Sequence, residues 1–319
     1  MALRGGQFKR WMVTGAAGLL LSACALQTSV DPTLKPIGRP HTLALPVPDV
    51  AKPTSQESAR LRSYFNQVQQ AQLSQGLLRS DGGGPDTPYT AEMLARNFEQ
   101  IAFYNEYNSS FSGRGEKTLM RRWEQPVRME IVFGDGVPPS TRETDGAAVR
   151  AYAGRLSGIT GHPVTLRGAP NFMVIIAGDD DREAALVQAA QRIPGVTPAS
   201  LNALRNLRRD TYCIVAAYAG GADPSTYTAA VAVIRAENPS LMRLSCIHEE
   251  LAQGLGLAND SPTARPSIFN DDDEFALLTH HDEDLLKILY DPRLKAGMSA
   301  EQAMPIVRTI ARELTGGPL

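Results

Sequence analysis

The sequence predicts an α+β fold, with a mixed sheet of about five strands around one central helix of the active-site type, preceded by a small helical segment. Three observations carry that expectation. Val127–Phe133 alternates apolar and polar side chains, and residues 171–177, 211–219 and 226–235 are apolar runs of strand length scattered along the chain. Stretches between these runs repeat apolar residues every three or four positions, the mark of helices between strands. After the last run, residues 240–257 place Leu244, Ile247, Leu251 and Leu255 on one helical stripe, so this helix packs on the sheet.

Composition narrows the function classes. With 319 residues, 43% of them hydrophobic, the chain can bury a substantial core. A net charge of -2 removes the electrostatic reason to bind nucleic acid. Five histidines and three cysteines set a low ceiling on any metal site.

In chain order, Arg4, Lys9 and Arg10 precede an apolar run over residues 11–21, too short for a membrane span and read as an export signal. Leu21-Ser22-Ala23-Cys24 resembles the bacterial lipobox, which implies removal of residues 1–23 and a lipid on Cys24. Ala25 in place of Asp then implies, by resemblance to sorted lipoproteins, the outer membrane in preference to the inner, with the protein facing the periplasm. Residues 24–56 carry Pro32, Pro36, Pro40, Pro46, Pro48 and Pro53 and read as a tether, in which His41 is a solvated loop residue.

Residues 57–125 form the helical segment, with a helix over 58–78 and a second one capped by Thr90 and reaching Tyr107. A Gly/Ser-rich loop over 108–117 leads to Arg121-Arg122-Trp123, where a packed tryptophan and solvated arginines are expected. Residues 126–319 make the main domain. Its expected order is strand 127–133, helix 144–159 capped by Thr144, short strand 163–167, strand 171–177, helices 181–192 and 198–207, strands 211–219 and 226–235, and helix 240–257. His162 falls in a turn.

The last of these helices carries the candidate chemistry. Glu249-Glu250-x-x-Gln253-x-x-Gly256-x-x-Asn259 has the metzincin spacing H-E-x-x-H-x-x-G-x-x-H, with the base and the glycine kept and all three histidines replaced. Starting instead at His248 puts Ala252 where the second ligand belongs, so His248 is a packed or hydrogen-bonded residue in preference to a ligand. Glutamine and asparagine amides are poor zinc donors, so no metal or other cofactor is expected. Glu249, Gln253 and Asn259, with His248 and His280, either line a binding cleft or hydrogen-bond a downstream loop. Residues 270–274 are dense in oxygens but lack the glycine and distal glutamate of a calcium loop, and they read as a solvated acidic loop or one paired with Arg265 or Arg293. Thr279 caps the next helix with Asp282 as its reciprocal partner, and the adjacent His280 and His281 cannot form an i, i+4 ligand pair. With Cys24 lipidated, Cys213 and Cys246 are the cysteines left, and export permits a disulfide between them.

The order of elements, like the spacing, resembles the metzincin catalytic domain. Ser267-Ile268-Phe269-Asn270 stands where metzincins make a methionine-bearing turn, with Phe269 in place of Met. Asn97-Phe98-Glu99-Gln100-Ile101-Ala102-Phe103, Arg122-Trp123, the stretch over 249–260, Ser267-Ile268-Phe269-Asn270-Asp271 and Leu289-Tyr290-Asp291-Pro292-Arg293-Leu294 resemble an uncharacterised proteobacterial lipoprotein family, domain of unknown function 2927, over residues 90–300. These resemblances imply an envelope lipoprotein with a degenerate metzincin-like domain. Its partners would be the membrane, through the lipid, and a peptide, wall component or envelope protein bound without cleavage. The alternative is a metallopeptidase with Glu250 as general base and zinc held by His248, His280 or His281. A third reading makes the two N-terminal helices a docking element for an envelope partner.

Overall fold

The sheet forms with one strand more than the sequence predicts. The computed structural model describes residues 54–104, 117–197, 201–220, 223–270 and 272–316, so the stretch read as an export signal, Cys24, His41 and nearly all of the expected tether lie outside the described residues. Helix α1 (Gln56–Ser74) starts at Ser55, whose hydroxyl accepts the Ser58 N–H at 3.0 Å. Helix α2 (Ala91–Ala102) starts at Thr90, which accepts from Met93 N, and ends before Tyr104 pairs with Lys117, short of the expected Tyr107.

The domain continues through β1 (Arg122–Trp123), β2 (Val127–Phe133), α3 (Pro139–Thr160), β3 (Val164–Thr165), β4 (Phe172–Ala177), α4 (Arg182–Arg192), α5 (Asn202–Arg205), β5 (Cys213–Ala219), β6 (Thr226–Arg235), α6 (Ser240–Gln253), α7 (His280–Leu289) and α8 (Ala300–Thr315). Strands β3, β2, β4 and β6 lie side by side in that order and are parallel. Strand β5 runs antiparallel to β6, and β1 pairs with the first residues of β6. Parallel neighbours need crossovers, and the helices that supply them cover both faces.

That arrangement explains why every residue of β4 is buried. Phe172, Val174 and Ile176 pack with Val149 and Leu156 of α3, Ile247 and Leu251 of α6, and Leu285 of α7. Met173, Ile175 and Ala177 pack with Ala185, Leu186 and Ala189 of α4. At about 1.5–3 kcal/mol for each large apolar side chain removed from water, these layers hold the sheet in place.

Several expected boundaries move, each for a local reason. Helix α3 begins at Pro139, where a missing N–H costs nothing; Thr144 is therefore inside the helix and bonds Ser140 O instead of capping it. The helix expected over 198–207 is α5, four residues long, with residues 198–200 outside the described ones. Arg122 is buried, not solvated: its guanidinium donates to Leu289 O at 2.9 Å and pairs with Glu124. Helix α8 has no counterpart in the sequence reading. It carries a complete Ser299–Gln302 capping box and buries Ala303, Val307, Ile310 and Ala311, but Pro305 interrupts its helical signal.

Helix α6 stops at Gln253 instead of running to Leu257. Gly256 takes φ +129°, and a Cβ there would lie 2.4 Å from Arg121 O. The released carbonyls find side-chain donors, with Trp123 Nε1 donating to Gly254 O at 2.8 Å and the Tyr290 hydroxyl to Leu255 O at 2.9 Å.

Candidate functional site

Helix α6 is held along its length, which fixes where its polar side chains point. Midway along it the Cys213–Cys246 disulfide joins it to the first residue of β5, with the two Cα atoms 5.8 Å apart. This is the expected pairing, and it closes a separation of 33 residues. Such a closure stabilises by about 3–4 kcal/mol through the unfolded chain.

His248 is packed, not coordinating. Its ring stacks on Tyr152, with centroids 4.1 Å apart and planes 7° from parallel, and its Nδ1 accepts the Leu278 N–H at 3.1 Å. Burial lowers its pKa to about 3, so the imidazole is neutral and carries its proton on Nε2. The Tyr152 hydroxyl donates to His248 O at 2.9 Å, tying α3 to the same turn of α6.

Next along α6, Glu249 is partly exposed and Glu250 buried. A carboxylate oxygen of each and Cys213 Sγ all lie within 4.8 Å of one another. The two glutamates thus sit together beside the disulfide, where α6 faces β5. The other two candidate residues point elsewhere. Gln253 is buried and donates through Nε2 to Asp260 Oδ1 at 3.0 Å, whereas Asn259 donates through Nδ2 to Gln100 O of α2 at 2.8 Å.

The remaining histidines are engaged away from this place. His280 is exposed, with Nδ1 3.0 Å from Gly82 O. His281 is fully buried, meets the Asn97 amide at 3.1 Å through Nε2 and lies edge-on to Tyr89. His162 keeps to its turn, 2.9 Å from Gln125 O, and burial lowers its pKa.

A residue that sequence reasoning used only as a cap turns out to organise the downstream loop. Asp282 completes the capping box with Thr279, and its carboxyl also accepts from Ser267 Oγ, from Ile268 N at 3.0 Å and from Thr279 N at 2.9 Å. Ser267-Ile268-Phe269-Asn270 is thereby pinned to α7, with Phe269 fully buried and Asn270 Nδ2 donating to Ala264 O. The capping signal was in the sequence, but the reach across fifteen positions was not. Of the acidic stretch, Glu274 accepts from Arg265 and Arg79, and the Arg265 bond holds its pKa below the usual glutamate value. Arg293 pairs with Asp291 and Glu313.

These features define an α+β protein whose central helix is anchored by a disulfide and carries paired carboxylates where it meets an antiparallel strand. The chain belongs to the family described as protein of unknown function (DUF2927), whose model matches residues 91–309, from the first residue of α2 into α8. No match is found among curated proteins or among solved structures.

Proposed function

We propose that this is a lipid-anchored envelope protein whose metzincin-like domain binds an extended peptide, from a protein or from the cell wall, without cleaving it. The observation that carries the reading is the use already made of the side chains where metzincin ligands belong. Gln253 is bonded to Asp260 and Asn259 to α2, and neutral amides are poor zinc donors, so this set does not fit a zinc ion. Neither do the histidines fit: His248 Nδ1 accepts from Leu278, and His280 lies against Gly82 O. The peptidase alternative leaves Glu250 as a base without a metal to serve.

The fold supports the metzincin-like part of the reading through its order of elements, in which a parallel sheet with one antiparallel strand leads directly into α6. The peptide reading is supported by β5. Among the described residues β5 pairs with no strand but β6, so it forms an edge of the sheet. Extended peptides add to such edges through main-chain hydrogen bonds, and flanking side chains supply selectivity. Glu249 and Glu250 beside the first residue of β5 favour a cationic side chain there.

Titration of the purified protein with a library of short extended peptides, followed by fluorescence anisotropy and amide hydrogen exchange, tests this. The binders should carry Lys or Arg and slow exchange along β5, and Glu249→Lys should weaken them about tenfold, as reversing a partly exposed charge at an interface does. Binding that protects other elements while β5 stays unchanged would refute the assignment, as would hydrolysis of the bound peptide.

A further inference from the structure

We infer that Cys213, Cys246, Glu249 and Glu250 form a zinc-type metal site when the disulfide is reduced. The inference stands apart from the peptide reading and rests on the same corner of the fold in a different redox state. Cys246, Glu249 and Glu250 are at positions i, i+3 and i+4 of α6 and so project from one side of one turn. Cys213 comes from β5 opposite, already joined to Cys246. The Cys213 sulfur and both carboxylates lie within 4.8 Å of one another. Around a tetrahedral zinc, with Zn–S about 2.3 Å and Zn–O about 2.0–2.2 Å, neighbouring donors sit roughly 3.3–3.8 Å apart, which small rotations about the side-chain bonds supply.

In the oxidised protein both sulfurs are committed to each other. A dithiol reductant changes that by ordinary exchange: its thiolate attacks one sulfur, the other leaves as a thiol, and the reductant's second thiol resolves the mixed disulfide. The reductant ends as a cyclic disulfide, and Cys213 and Cys246 end as two thiols. Two thiolates and two carboxylates are a donor set zinc takes readily, and binding releases the two thiol protons.

The surroundings suit the part. Cys246 and Glu250 are buried, whereas Cys213 and Glu249 are partly exposed and give the ion a way in. Asn238 Nδ2 stands 3.7 Å from Cys246 Sγ, a donor placed to steady a ligating thiolate. Because the metal binds only the dithiol form, it must in turn favour reduction, by reciprocity of linked equilibria.

The test uses the chain with Cys24→Ala, so that no third thiol competes, oxidised or reduced with a phosphine, and titrated with Co2+ and then Zn2+. The reduced protein should take up stoichiometric cobalt with thiolate-to-metal charge transfer in the near ultraviolet and the intense visible bands of a tetrahedral site. The oxidised protein should show neither. Glu249→Gln and Glu250→Gln should each weaken zinc binding by about tenfold or more. At a fixed ratio of dithiol to cyclic disulfide, zinc should raise the reduced fraction. Reduced protein with native far-ultraviolet circular dichroism and no stoichiometric cobalt would overturn the inference. So would uptake unchanged in both glutamine variants, which would place the metal on the thiols alone, or loss of the fold on reduction.

Discussion

Replacing Asp282 by alanine should cost about 4 kcal/mol of folding stability, among the largest effects of any single polar substitution here, because three buried donors lose their acceptor at once. Ser267 Oγ, Ile268 N and Thr279 N all donate to this carboxyl, and Asp282 is fully buried. Each buried donor left without a partner costs about 1–3 kcal/mol, and the Thr279 N–H among them is the lost half of the capping box. Asp282→Asn keeps an acceptor oxygen and should cost about half as much. Urea unfolding of the two variants distinguishes them, and an alanine variant within experimental error of the parent would mean that the loop over 266–270 is held by something else. The family resemblance in Ser267-Ile268-Phe269-Asn270-Asp271 is on this account one of architecture, a loop fastened to α7.

The second large effect is acid destabilisation through His248. Its folded pKa is about 3, against about 6.5 in an unfolded chain, because the ring is buried and its Nδ1 accepts a hydrogen bond. The stability tied to the neutral ring is therefore fully present above about pH 6.5 and is lost progressively as the pH falls toward 3. Across that window the loss is on the order of 4 kcal/mol. His248→Asn offers an acceptor oxygen near the position of Nδ1 but cannot take up a proton. Its stability, measured by denaturant unfolding between pH 7 and pH 4, should fall less steeply than that of the parent, and parallel curves would show that other groups carry the acid response.

How much of this was legible in the sequence follows from what each signal measures. Apolar period alone located β2, β4, β5 and β6, since their burial is written into alternate residues in β2 and β5 and into consecutive ones in β4 and β6. It could not find β1, a two-residue strand whose place depends on β6, a hundred positions away. The caps at Thr90 and Thr279 were readable because capping is local; the one at Thr144 failed because Pro139 starts the helix earlier on equally local grounds. At the candidate site the sequence put Glu249 and Glu250 side by side and the structure keeps them so. It left Gln253 and Asn259 either lining a cleft or bonding a downstream loop, and their hydrogen-bond partners, Asp260 and Gln100, are chosen by the turn at Gly256 and the docking of α2. Such choices are set by tertiary contacts that no spacing encodes.

On the proposed reading, α6 keeps the architecture of a metallopeptidase helix while its side chains serve packing and recognition. The zinc content of the oxidised protein, isolated without reductant and measured by elemental analysis alongside a peptidase assay, tests it most directly. The account predicts sub-stoichiometric zinc and no hydrolysis in parent and Glu250→Gln alike. Stoichiometric zinc that disappears when His248 or His280 is changed, with cleavage abolished by Glu250→Gln, would contradict it.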